Sequence, residues 1–163
     1  MSDWQDDKRW SDRFIPQIRE IVARRLILEA PLEEDQQHNT DLIVLRSSAV
    51  RIACRVRRGQ YADRYGDEFT IRTRRQQGSK TELAKILEGW GDVLFYGFAD
   101  GDAIARWLLG DLDVFRAWYR DEVQRLPPGC PAGIVQTNGD HSSQFMAFKL
   151  GWLPPEFIIA RSV

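Results

Sequence analysis

The stretch Val50-Arg51-Ile52-Ala53-Cys54-Arg55-Val56-Arg57 alternates in polarity with a period of two, broken only at Ala53. Successive side chains of a β-strand point to opposite faces. The pattern therefore specifies a strand with Val50, Ile52, Cys54 and Val56 on an apolar face and arginines on the other. Such a strand must bury one side against partners and offer the other to solvent or to anions. A helix would scatter the arginines around its axis and leave no continuous apolar stripe.

The surrounding segments follow suit. Residues 40–45 form a short apolar run of the kind found in buried strands, and residues 46–49 are a plausible hairpin connection to the alternating strand. A third strand is predicted over 68–73, preceded by an aromatic and basic loop, Tyr61-Ala62-Asp63-Arg64-Tyr65-Gly66. Upstream, Phe14, Ile18, Ile21, Val22 and Leu26 recur at helical spacing. Ser11 or Asp12 can cap that helix, Pro16 falls in its first turn and Pro31 ends it. The polar residues 33–39 read as a loop. Downstream, Ser79-Lys80-Thr81-Glu82 fits a capping box with Ser79 at the cap, followed by Leu83, Ile86, Leu87 and Trp90. Residues 93–98 and 104–109 read as strands. Asp111 caps a helix carrying Leu112, Phe115, Trp118, Tyr119 and Leu126, closed by Pro127-Pro128-Gly129. After a loop to about residue 142, short strands follow at 145–150 and 157–160. This order predicts one α/β domain, a mixed sheet flanked by helices, with a core over about residues 12–126 and a β-rich C-terminal extension over about 140–163.

Charge narrows the function. The net charge of the 163 residues is -1, from 23 Lys and Arg against 24 Asp and Glu. By segment, residues 1–45 carry six basic and ten acidic side chains, residues 46–85 eleven and four, and residues 86–163 six and ten. The strongly basic middle block is rich in arginine, whose planar fork suits bidentate phosphate contacts. Nothing approaches a membrane-spanning apolar run, which excludes a membrane helix. The acidic start, Met1-Ser2-Asp3-Trp4-Gln5-Asp6-Asp7, is unlike a signal peptide, so the expected compartment is the cytoplasm. Cys54 and Cys130 are too few for a disulfide framework, and Cys54 reads as a small buried hydrophobe. His38 and His141 are solitary and sit in polar loops. Trp4 and Trp10 are the tryptophans expected to meet a partner or a second subunit.

Asp41 opens the first strand of the helix–strand–strand–strand–helix–strand order, and Glu20 lies on the preceding helix. On these features the chain resembles the PD-(D/E)XK, or restriction-endonuclease-like, nuclease superfamily, and it is similar to small phage and prophage nuclease-like proteins. The resemblance implies DNA as partner, phosphodiester hydrolysis, and Mg²⁺ or Mn²⁺ held by Asp41 with Glu20 or Glu68 completing the site. It also implies a departure. The acidic-x-Lys triplet of the second strand falls on Arg55-x-Arg57, and a guanidinium cannot ligate a hard cation. Arg57 would then stand in for the lysine that positions the water or stabilises charge on the phosphate.

The residues themselves support a second role. Arg55, Arg57, Arg72 and Arg74 lie at even spacing on two strands that, if adjacent, would form one basic face, with Arg75, Arg64 and Lys80 as further candidates for binding nucleic acid. Tyr61 and Tyr65 are candidates for stacking on bases. Three functions follow: a metal-dependent nuclease, a non-catalytic nucleic-acid binder on the same fold, and an assembly subunit whose basic middle meets the acidic ends of another copy in a homo-oligomer.

Overall fold

The computed structural model describes residues 4–29, 42–44, 50–75, 80–139 and 143–162. Two sheets carry most of the core. A four-stranded mixed sheet has the order β3-β5-β6-β9, formed by Ile52–Arg58, Val93–Asp100, Ala103–Asp111 and Ile158–Arg161. In it β3 runs parallel to β5, and the other pairs are antiparallel. A three-stranded antiparallel sheet has the order β4-β8-β7, formed by Glu68–Arg75, Ser143–Lys149 and Ile134–Thr137. A separate pair joins β1 (Ile27–Glu29) to β2 (Leu42–Val44).

β5 is buried along seven of its eight residues because both of its faces are covered. On one side Leu94, Tyr96 and Phe98 meet Phe69 and Ile71 of β4, Phe148 of β8, and the helices α4 (Glu82–Leu87) and α5 (Leu112–Arg125). On the other, Val93, Phe95 and Ala99 meet Phe14, Ile18 and Val22, the latter two on α2 (Ile15–Leu26). The predicted mixed sheet flanked by helices is thus present. The C-terminal strands are integral to it: β8 is the central strand of the smaller sheet and β9 an edge of the larger.

Local chemistry explains most element ends. Asp111 caps α5, its carboxylate accepting from the amides of Asp113 and Val114. Gly101 has φ +57° and turns β5 into β6, a conformation that favours glycine. That turn is latched by the amino-terminal segment: Arg13, in the turn before α2, bonds Gly101 O and pairs with Asp102, while Gln17 of α2 donates to Asp102 O and accepts from the amide of Ile104. Arg116, 7% exposed, reaches from α5 to the carbonyls of Ile86 and Gly91 and holds the end of α4.

Several expectations change. The acidic amino-terminal stretch is a helix, α1 (Trp4–Asp12), so the predicted single helix is two. The hairpin expected at residues 46–49 is not part of the described pairing, because β3 pairs with β5 and β2 with β1. The aromatic and basic loop is a 3-10 turn, Gly59–Tyr61, followed by the short helix α3 (Ala62–Tyr65). The cap of α4 is Thr81, which accepts from the Ala84 amide; Glu82 is left free for another role. The loop expected before residue 142 contains β7, which pairs with β8. Pro31, residues 33–39, His38 and His141 lie outside the described residues.

Phe157 is fully buried with its ring over Gly110, where an added methyl group would stand 2.4 Å from the nearest ring carbon. A ring held in the core cannot yield by that much, so overpacking is expected. Gly110→Ala should lose about 1–3 kcal/mol of unfolding free energy in urea titration; an unchanged midpoint would mean that Phe157 packs elsewhere.

Candidate functional site: a basic groove along an edge strand

Among the described residues β3 has a partner on one side only, and a groove of about 580 Å³ follows that edge. α1 lines it with Asp7, Lys8, Trp10 and Ser11, and β3 with the run from Cys54 to Arg58. Tyr61, Arg72 of β4, and Glu82 and Lys85 of α4 complete the wall. Six lining side chains are cationic and two are carboxylates. A concave surface of one sign concentrates potential and attracts counter-charge.

The strand period positions the arginines. Val50, Ile52 and Val56 pack toward the α2 side and Ala53 toward the other core, so Arg55 and Arg57 extend toward β4. Arg55 Nη1 donates to Thr70 O at 3.3 Å and to Glu82 Oε2 at 3.0 Å. The same Glu82 oxygen accepts the Arg72 amide at 3.0 Å, so one carboxylate ties β3, β4 and α4 together. Arg57 Nη1 donates to the Tyr96 hydroxyl at 3.4 Å, which shares a 3.1 Å hydrogen bond with Thr70 Oγ1. The Arg57 guanidinium lies 4.7 Å from the Tyr61 ring centre and 5.5 Å from that of Tyr65. Arg58 lies 5.6 Å from the ring of Trp10. A guanidinium over a ring keeps its in-plane N–H donors while the ring limits its motion.

Four predicted residues therefore meet in one groove: Arg55, Arg57, Tyr61 and Arg72. The others do not. β3 and β4 are in different sheets, so no single strand face carries all the arginines. Arg72 stands opposite Phe145 and Arg74 opposite Gln144, a bulge that inverts the alternation and sends Arg74 to the other face. Arg64 is exposed on α3, against Tyr65 at 5.3 Å, and Lys80 pairs with Glu88 at 2.7 Å; neither lines the groove. The Arg75 side chain and Asp41 lie outside the described residues. Cys54 is exposed at the groove wall, because the helical cover of this edge strand reaches its apolar neighbours and not its middle.

Sequence reasoning missed Arg58, Lys8 and Lys85. Arg58 falls on the apolar parity of the strand, which the alternation argument discards. Lys85 follows Glu82 by three residues and thus shares its helix side, a signal that was legible.

The groove does not fit Mg²⁺ or Mn²⁺. A hard cation needs several oxygen donors, and here Asp7 and Glu82 are the carboxylates, with Glu82 already engaged. Among the described residues no three His, Cys, Asp or Glu side chains gather. Glu20 and Glu68 are kept apart: Glu20 is exposed on α2, which covers one face of the larger sheet, and Glu68 lies on the opposite side with Tyr96 and Phe98. No described helix is long and apolar enough to cross a membrane.

Glu68 is 8% exposed, and no hydrogen bond or ion pair to its carboxylate is found among the described residues. Burial pushes its carboxyl above the ordinary glutamate value and Asp67 adds to this, while Arg57 and Lys149 pull the other way. The folded chain then holds a proton that the unfolded chain has released, so stability falls as pH rises from the ordinary glutamate value through the raised one. Glu68→Gln should accordingly be more stable than wild type at pH 7, with the gap closing below the ordinary glutamate value. Urea midpoints at the two pH values measure this, and a variant less stable at pH 7 would mean that the carboxylate is paired.

No protein-family model matches the chain, and neither does any curated protein or solved structure.

Proposed function

We propose that this chain binds nucleic acid, DNA in the first instance, along the basic groove. The observation that carries the reading is the gathering of Arg55, Arg57, Arg58 and Arg72 with Lys85 beside the rings of Trp10 and Tyr61. Guanidinium groups meet phosphates with little regard to base sequence, and the interleaved rings offer surfaces for bases or sugars. The element order that resembles the PD-(D/E)XK superfamily supports the same partner. Hydrolysis is the further step implied by that resemblance, and it requires a cluster of carboxylates, which is not found among the described residues of the groove. The reading is therefore a nuclease-like protein that holds DNA through arginines in place of a metal centre.

Fluorescence anisotropy on a labelled duplex tests this. If four guanidinium groups each meet a phosphate, affinity should fall on the order of a hundredfold between roughly 50 and 200 mM salt. Arg58 is exposed and its contact is an aromatic ring, so Arg58→Ala should fold normally, bind several-fold more weakly and reduce the salt slope by about one. Absence of binding at low salt would sink the proposal.

A plasmid-nicking assay with Mg²⁺ and with Mn²⁺ separates binding from cutting. Intact plasmid is expected for wild type and for Asp41→Ala alike. Nicking by wild type that disappears in Asp41→Ala would establish the enzyme instead.

A further inference from the structure

A second cavity, of about 370 Å³, opens beside β4 on the face of the larger sheet away from α2. That size lies at the lower end of small-molecule pockets, roughly 300–1,000 Å³. Tyr96, Phe98 and Leu108 make its apolar wall, and Glu68, Arg106 and Arg161 are its charged groups. Tyr96 and Ser162 are already engaged, Tyr96 with Thr70 and Arg57, and Ser162 with the backbone of Trp107.

The charged groups are differently placed. Glu68 is 8% exposed and lines the cavity, and no hydrogen bond to its carboxylate is found among the described residues; because no fully buried polar atom there lacks a partner, its oxygens keep some accessible surface. An accessible carboxylate with no hydrogen-bonding partner in a largely buried residue is available to a ligand's donors. Arg106 is exposed, donates to Ala62 O at 3.3 Å and lies against Gly66. Arg161 is exposed, and no ion pair to it is found among the described residues.

We propose that this cavity binds a guanine nucleotide, with the two N–H donors on one edge of the base meeting the Glu68 carboxylate and the phosphate meeting Arg106 and Arg161. A carboxylate has two acceptor oxygens and suits a pair of adjacent donors, which guanine offers at N1 and N2; adenine offers a donor beside an acceptor. Two guanidinium groups suit a phosphate better than a single carboxylate. The nucleotide is either free or one residue of a single strand, and the chemistry is the same. The site is linked to the groove through the Arg57–Tyr96 contact and the charge of Arg57 near Glu68, but its lining residues are separate and it does not rest on DNA binding there.

The test is thermal shift and calorimetric titration of the full chain with GMP, AMP and inorganic phosphate, together with single-stranded oligonucleotides with and without dG. GMP, or the dG-containing strand if the base comes from a strand, should raise the melting temperature and bind at least tenfold more tightly than its AMP or dG-free counterpart. Glu68→Gln and Arg161→Ala should each weaken binding tenfold or more, leaving duplex binding in the groove unchanged. Arg58→Ala should do the reverse. The proposal is overturned if neither GMP nor the dG strand binds at millimolar concentration, if phosphate alone binds as well as GMP, or if Glu68→Gln binds GMP undiminished.

Discussion

The aromatic packing around Phe69 holds the two sheets against each other. Its ring stacks on Phe148 at 5.5 Å and Phe157 at 5.1 Å, and meets Tyr96 and Phe115 edge-on at 6.4 and 5.7 Å. These partners come from β8, the segment before β9, β5 and α5, so one side chain unites elements from the middle and the end of the chain. Aromatic pairs of this kind add about 0.5–1.5 kcal/mol each beyond the area that they bury. Phe69 lies between Glu68 and Thr70, and seating it fixes both neighbours: the carboxylate in the smaller cavity, and the hydroxyl and carbonyl that receive Tyr96, Arg55 and, through Tyr96, Arg57.

Arginine concentrates at the other critical place, the edge of β3. An edge strand presents unpaired backbone groups and invites association, and charged side chains along it are one common defence. Here the charges are also organised. Glu82 ties Arg55 to the backbone of Arg72, Tyr96 and two tyrosine rings hold Arg57, and Trp10 lies under Arg58. The order of these donors costs little at the moment of binding, because the conformational freedom has been given up during folding. The described groove thus carries few carboxylates and many constrained guanidinium groups.

Much of this was legible in the sequence. The buried strand at β5, the Asp111 cap, the alternation at β3 and the basic block over residues 46–85 each depend on residues close together along the chain, where period and capping chemistry are reliable guides. Glu68 was legible as a chemically interesting acid, expected with Asp41 as a candidate metal ligand; Asp41 lies outside the described residues, among which no partner of the Glu68 carboxylate is found. Arg58 was discarded by the same alternation that identified Arg55 and Arg57. Thr81 displaced Ser79 as the cap, and that shift freed Glu82 to serve as the clamp between strands.

The sequence by itself determined which segments prefer strand or helix, which faces are apolar and where positive charge accumulates, because those properties arise from neighbouring residues and their periods. Only the tertiary structure decided which strands pair. Backbone hydrogen bonding is the same for every residue and carries no address, so β3 next to β5 and β4 next to β8 follow from how the two cores close. That choice separated Glu20 from Glu68 by a sheet, and a bulge in β4 turned Arg74 away from Arg72. Arg55, Arg57 and Arg72 were brought together across two sheets that no pattern along the chain connects.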